Sequence, residues 1–290
     1  MNQRRHVSRR VFECSLAFAL LAGVTCVAQA QPQLPPGELD KLVSRIALYP
    51  DPLLAQILSA STYSDQIPEA AKWADEHHYL TGDALAAAIS EDHLPWDPSV
   101  QALLPFPSVL ETMAGDMAWT TQLGNAVLAQ RPDVMDAVQR MRHKAQAFGY
   151  LRTNTQVIVS TGPYITILPA APDFYCVPVY DPAIVFVAPR PGFAVGLAIN
   201  FGFGISIGAA FRPWGWGGVR IGWDTHAWFI GDHPWGRTWV NRATYVHPGY
   251  SMPRYEAARR VETHQLIARS PKEREAARLG HERVEEHRRK

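Results

Sequence analysis

Cysteine is nearly missing from this 290-residue chain: there are three, and Cys14 and Cys26 both fall in the first thirty residues. Without that stretch Cys176 has no intramolecular partner, which excludes a disulfide framework. A buried thiol is the expected state of Cys176, with a reactive thiol or an intermolecular bridge as alternatives. An excess of one charge is missing too. Lys and Arg number 28 against 27 Asp and Glu, and removing the leader's four arginines and one glutamate leaves 24 against 26. That balance provides no electrostatic footprint for nucleic acid, and none is expected as a partner. There is no Gly-x-Ser-x-Gly elbow, and no Lys-Ser/Thr pair follows a glycine cluster, so a serine hydrolase of that type and a phosphate-binding loop are both disfavoured. No cofactor is expected.

What is present begins with an address. Arg4, Arg5, Arg9 and Arg10 precede an apolar run from Ser15 to Val27, and Ala28-Gln29-Ala30 has the small-x-small form of a cleavage site. Residues 1–30 therefore read as a secretory signal peptide, and the chain as an exported protein of the bacterial periplasm or cell envelope. Ser8-Arg9-Arg10-Val11-Phe12 resembles a twin-arginine motif, with the general secretory route as the alternative.

Helical spacing dominates the next segment. Leu39, Leu42, Val43, Ile46 and Ala47 mark a first helix, and Leu53, Leu54, Ile57 and Leu58 a buried stripe on a second. Asp51-Pro52, Asp97-Pro98 and Asp181-Pro182 each read as a helix start, the carboxylate capping free N–H groups and proline occupying the first turn. Pro68 and Gly82-Asp83 open two further helices. Pro107 opens a longer one with Leu110, Met113, Met117, Gly124 and Leu128 on one face. Arg131-Pro132-Asp133 breaks it, and Val134, Val138, Met141, Ala145 and Phe148 trace the next, with Gly149 as the C-terminal cap. This predicts an antiparallel helical hairpin within a helical domain over 31–150.

Three ordered motifs carry a family resemblance: ALYPDPLLAQILSASTYSDQIPEAAKW (Ala47 to Trp73), WTTQLGNAVLAQRPDVMDAVQRMR (Trp119 to Arg142) and PVYDPAIVF (Pro178 to Phe186). Together they resemble an uncharacterised family of secreted bacterial proteins, a domain of unknown function. The resemblance implies a signal peptide, a helical N-terminal domain, a β-rich segment and a variable Gly/aromatic end. It implies no reaction and no catalytic residues.

After Thr155 the period changes to two. Gln156 to Ser160, Tyr164 to Leu168 and Phe174 to Val179 are short β-branched and aromatic runs expected to form a small antiparallel sheet, with Ala183 to Val187 as an edge strand. From Phe193 to Phe211 every odd position is apolar and every even one is Gly, Ala, Ser or Asn. A pleated strand would gather the large residues on one side, bending or turning near Asn200-Phe201-Gly202, whereas a membrane helix would scatter them. Homo-oligomerisation or membrane association through Phe193–Phe211 are open possibilities for so long a charge-free run.

Six of nine tryptophans, Trp214, Trp216, Trp223, Trp228, Trp235 and Trp239, follow among glycines. They are the candidate ligand-binding residues, able to stack on a glycan or sit at a membrane surface; as cover for a small β-core they would be plain structure. The fold class is thus α+β: helical domain, antiparallel β-rich Gly/aromatic module over 151–250, and a charged tail over 251–290.

Metal and acid–base chemistry have weak candidates. His77-His78 with His93, or Asp224, His226, Asp232, His233 and His247, offer ligands without a known zinc spacing, so no metal is expected. Asp65, Asp97, Asp181 and Asp224 could serve a hydrolase if two converged. The leading expectation is a non-enzymatic scaffold or binding module for an envelope protein, cell-wall glycan or membrane surface, with an envelope hydrolase as alternative.

Overall fold

The computed structural model describes residues 33–189, 196 and 198–248. The expected signal peptide, the charged tail and the first part of the alternating stretch lie outside the described residues. Within them a helical region, residues 36–147, is followed by small antiparallel sheets, a mixed α+β architecture.

The helices are α1 (Pro36–Val43), α2 (Asp51–Ser61), α3 (Ile67–Glu76), α4 (Gly82–Glu91), α5 (Pro98–Gln101), α6 (Pro107–Gly115) and α7 (Met117–Ala147). The centre is α2, in which every residue from Asp51 to Ser61 is buried. Its sequence shows one aliphatic stripe; its other faces carry Gln56, Ser59 and Ser61, which are buried as well. Gly124 on α7 lets the two backbones touch, since a Cβ there would lie 2.0 Å from the Ser61 carbonyl oxygen.

The long helix is two helices joined at a kink. Gln130 departs from helical geometry, with φ −144° and ψ 48°, just ahead of Pro132. Trp119 Nε1 donates to the Leu42 carbonyl, while Arg140 and Lys144 both reach Asp40, two residues away on α1. A straight helix would separate Trp119 from Lys144 by about 37 Å. The halves therefore double back around α1, as a hairpin should. A second break, at Asp116, was not legible: its carboxylate accepts from the Trp119 N–H and starts α7 anew. At the far end, Tyr150 N–H donates to Ala145 O and Gly149 N–H to Gln146 O, a Schellman cap with Gly149 at φ 79°.

The sheets differ from expectation in three places. β1 (Val157–Ser160) and β2 (Thr166–Pro169) form a hairpin with Val157 and Ile167 inward and the cross-strand pair Ile158 and Leu168 outward. β3 (Phe174–Tyr180) leaves them and pairs with β4 (Ile199–Ser206) instead. The expected edge strand over 183–187 is a short helix, α8 (Pro182–Val185), because Asp181 caps Ala183 N–H and Pro182 presets the first turn. That is the signal already recognised at Asp97, outweighing β-branched composition.

The alternating stretch keeps its period for only part of its length. Between Cys176↔Gly204 and Pro178↔Phe201 the register shifts, leaving two residues, Gly202 and Phe203, opposite Val177. This bulge is the expected bend, and it turns Phe203 into solvent, fully exposed, while Ile207 is buried. After β4 the chain enters a 3-10 helix, Ala209–Trp214, rather than continuing as strand. β5 (Arg220–Gly222), β6 (Ala227–Ile230) and β7 (His233–Pro234) then form an antiparallel sheet. One hydrophobic core includes α1–α7 side chains together with Tyr175, Val177, Phe211 and five tryptophans; a smaller cluster joins Leu48, Ala145, Tyr150 and Val185 to the β1–β2 hairpin. No helix among the described residues is long and apolar enough to cross a membrane.

Candidate functional site

The three Asp-Pro signals have two different outcomes. Asp97 and Asp181 cap as expected, accepting from Ser99 N–H at 2.9 Å and Ala183 N–H at 2.8 Å. Asp51 does not cap. Pro50 already occupies the cap position, which moves Asp51 one residue into the helix and turns its carboxylate sideways. There it accepts from Arg142 Nη1 at 2.6 Å, Trp223 Nε1 at 3.1 Å and the Ile167 N–H at 3.4 Å. Arg142, wholly buried, also donates to the carbonyls of Ala47, Tyr49 and Ile165 and stacks its guanidinium 4.8 Å from the Trp223 ring centre. Every element meeting here needs this pair: the entry to α2, α7, β2 and the turn after β5. Fully engaged and sealed from solvent, the pair is a structural hub, with no oxygen left over for chemistry.

The tryptophans use their N–H groups in the same way. Trp214 donates to Gln101 Oε1, Trp216 to the Ala102 carbonyl, Trp223 to Asp51 and Trp228 to Ser59 Oγ, at 2.8 to 3.1 Å. Trp235 is buried beside Tyr63, Tyr245 and His247. Trp239 is half-buried, its backbone N–H donating to Leu128 O and its ring covered by the Arg242 guanidinium at 3.8 Å. The Gly/Trp segment is therefore a cover for α2. The bonding residues of α2 and α5 explain why Gln56, Ser59 and Gln101 are buried. A sugar-stacking role for Trp214, Trp216, Trp223, Trp228 and Trp235 does not fit, because none presents a ring face to solvent.

The histidines are scattered. His226 pairs with Asp136 at 2.8 Å, whereas His233 and His247 lie with ring centres 6.2 Å apart near Trp235. Burial lowers the His247 pKa from 6.5 to about 4. His77 and Asp92 meet at 4.0 Å beside Trp73. Among the described residues no three His, Cys, Asp or Glu side chains are placed to hold a metal ion. Cys176 is buried in β3, where desolvation pushes its thiol pKa up, away from the thiolate a nucleophile needs.

One acid stands apart. Burial raises the Asp97 pKa despite the Ser99 donors, and neighbouring Tyr63 has its own pKa raised by burial first and by the Asp97 charge second. Arg237 sits 3.5 Å over the Tyr63 ring and is tied to Thr62 and to the Arg242 carbonyl. This desolvated carboxyl–phenol pair was missed because Asp97 was fully accounted for as a cap and Tyr63 lies outside any periodic run.

The remaining unusual surface is apolar. Phe203, Val179 and Phe174 are exposed on β3 and β4, and the Phe174 ring lies over Gly204, where a Cβ would meet it at 2.0 Å. Among the described residues, β4 has β3 on one side and no strand on the other.

These features define a mixed α+β domain closed over a single buried helix by hydrogen-bonded tryptophans. The chain belongs to the DUF3300 family, described as a protein of unknown function, whose family model matches residues 35–242. That span starts just ahead of α1 and takes in the Asp51 hub and all six tryptophans. The uncharacterized protein YacH of Escherichia coli (strain K12) is 35% identical over 182 residues, covering 51% of this chain. The match spans 29% of YacH. No solved structure matches.

Proposed function

We propose that this is an exported cell-envelope protein whose α+β domain is a non-enzymatic binding module, docking through the β3–β4 surface onto an envelope partner. The carrying observation is Phe203: a fully exposed aromatic at a bulge, on a charge-free strand whose outer edge pairs with no described strand. An exposed strand edge without charge or proline is open to pairing or packing. The surrounding chemistry supports binding over turnover, since Asp51, Asp97, Asp116 and Asp181 all have structural bonds. The leader-like first thirty residues support the address.

Fractionation of cells carrying the full chain and a Phe203→Glu variant tests both parts. The expected result is the full chain in the envelope fraction, with the variant folded and released into the soluble periplasm. A cytosolic full chain overturns the address, and a variant retained as firmly as the full chain overturns the surface.

A second reading, an envelope hydrolase, is favoured by Asp97 alone. Burial shifts its carboxyl toward the protonated form, the direction a general acid requires. Release of soluble fragments from purified cell wall, lost in Asp97→Asn, would establish that reading in place of the first.

A further inference from the structure

With five of the six clustered tryptophans in the core, the aromatic rings left at the surface can be compared. Phe203 stands between Gly202 and Gly204 with no polar side chain adjoining it in sequence, and one face of Trp239 is taken by Arg242. Tyr79 differs. It is 69% exposed and is the outermost of three rings in series. Behind it His77 lies at 6.3 Å with an interplanar angle of 23°, and behind His77 is Trp73, face to face at 3.9 Å and 16°.

The stack is fastened at its base. Trp73, buried at the end of α3, donates its Nε1–H to Asp92 Oδ2 at 2.7 Å. His77 Nδ1 is 2.8 Å from the Trp73 carbonyl, and because a carbonyl only accepts, Nδ1 carries the proton. That fixes the imidazole plane and turns Nε2 toward Asp92, 4.0 Å away. His93, at φ 48°, ends the α4 segment abruptly next to Asp92. The result is a series of rings whose inner two are fastened, with the half-exposed Asp92 carboxylate at its base and an open outer ring that the exposed His78 imidazole meets edge-on at 6.1 Å.

The geometry points to a saccharide-binding platform at Tyr79. A pyranose has an apolar face of C–H groups and a rim of hydroxyls. An exposed ring backed by two fastened rings accepts that face, while the His78 imidazole beside it takes a hydroxyl hydrogen bond. Ligands with continuous equatorial substitution, β-linked hexose or N-acetylhexosamine oligomers, present that face best. This site is separate from the β3–β4 surface and goes beyond the docking proposed there.

The test uses purified, leader-free protein titrated with chitotetraose and, separately, cellotetraose, followed by calorimetry and by the ring signals of Tyr79 and His77 in NMR. The expected result is saturable binding of at least one oligomer, with Tyr79 ring signals shifted. Tyr79→Ala is expected to weaken it by about tenfold, because the lost ring contact is worth up to 1.5 kcal/mol. Tyr79→Phe should retain most of the affinity and Phe203→Ser all of it. Tyr79 is exposed, so neither of its variants is expected to change the unfolding midpoint. No saturation by either sugar at ten millimolar, or equal affinity in Tyr79→Ala, overturns the platform. Either outcome leaves the envelope fractionation of Phe203→Glu to be judged separately.

Discussion

The helical region and the Gly/Trp segment solve the same packing problem by different means. The helices α1 to α7 interlock through Leu, Ile, Val and Ala at helical spacing, which is non-directional and tolerant of exchange. The segment from Trp214 to Trp235 has few aliphatic residues and attaches through the indole N–H groups of Trp214, Trp216, Trp223 and Trp228, each aimed at one acceptor on α2, on α5 or on Ala102 just after it. A large ring supplies area, and its one donor supplies register. Glycines between the rings let the chain change direction often enough to lay each indole down. Sequence composition can thus look like a binding surface when it is a hydrogen-bonded cover.

The sharpest way to break that comparison is at the hub joining both halves. Arg142→Ala strips the buried Asp51 carboxylate of its cation, and urea unfolding should show a loss of about 3–5 kcal/mol. Given total stabilities of about 5–15 kcal/mol, that loss threatens folding outright. The paired change Asp51→Asn with Arg142→Met should recover part of it, because no charge is then left unpaired.

The next effect is pH-dependent and confined to the cover. The folded His247 pKa, about 4, lies below the unfolded value of 6.5, so protonation favours the unfolded chain. Stability should be complete above 6.5, fall as pH drops from 6.5 to about 4 and then level off, a loss of roughly 2–3 kcal/mol. Unfolding midpoints measured across that range in the chain and in His247→Gln check it; the variant's profile should be flatter through the window. Asp97 works in the opposite sense. Its raised folded pKa adds stability as pH falls from above that value toward the usual carboxylate range, so Asp97→Asn should remove a stabilising limb, not a destabilising one.

Within the cover, Trp228→Phe and Trp235→Phe separate the directional bond from the area. Trp228 loses a buried bond to Ser59 Oγ, whereas Trp235 Nε1 has no acceptor among the described residues. Thermal unfolding should show a loss of about 1–2 kcal/mol for the first and less for the second. Equal losses would mean that ring volume alone holds the segment. The smallest effect is expected at Phe203→Ser, within about 0.5 kcal/mol of the parent, because a fully exposed ring has no folded-state contacts to lose.

The helical half was largely legible because its signals are local. Pro107, Gly149 and the 131–133 break each act on their own neighbours through N–H groups and allowed φ angles. Asp116 was overlooked because its cap interrupts an unbroken apolar stripe, and at 183–187 the helix start read at Asp181-Pro182 competed with an edge strand suggested by β-branched Ile184 and Val185. The second region was legible in kind and not in place. Composition revealed rings, glycines and a two-residue period, but which acceptor each indole meets depends on residues more than a hundred positions away. The Asp51 hub was hidden by its own neighbourhood, an Asp-Pro pair that elsewhere in this chain is a cap. The Tyr79 stack was hidden likewise: its three rings lie within seven residues of Trp73 to Tyr79, but their alignment follows from how α3 ends.

The burial of α2 on all sides sets a timetable. Its carboxylate and the indole that closes on it are 172 residues apart in the chain. At a synthesis rate of about 5–20 residues per second, Asp51 is joined to the chain roughly nine to thirty-four seconds before Trp223. For that interval the helix whose every residue is buried in the folded domain has no lid. The last part of the domain to be translated decides whether the first part ever stops being sticky.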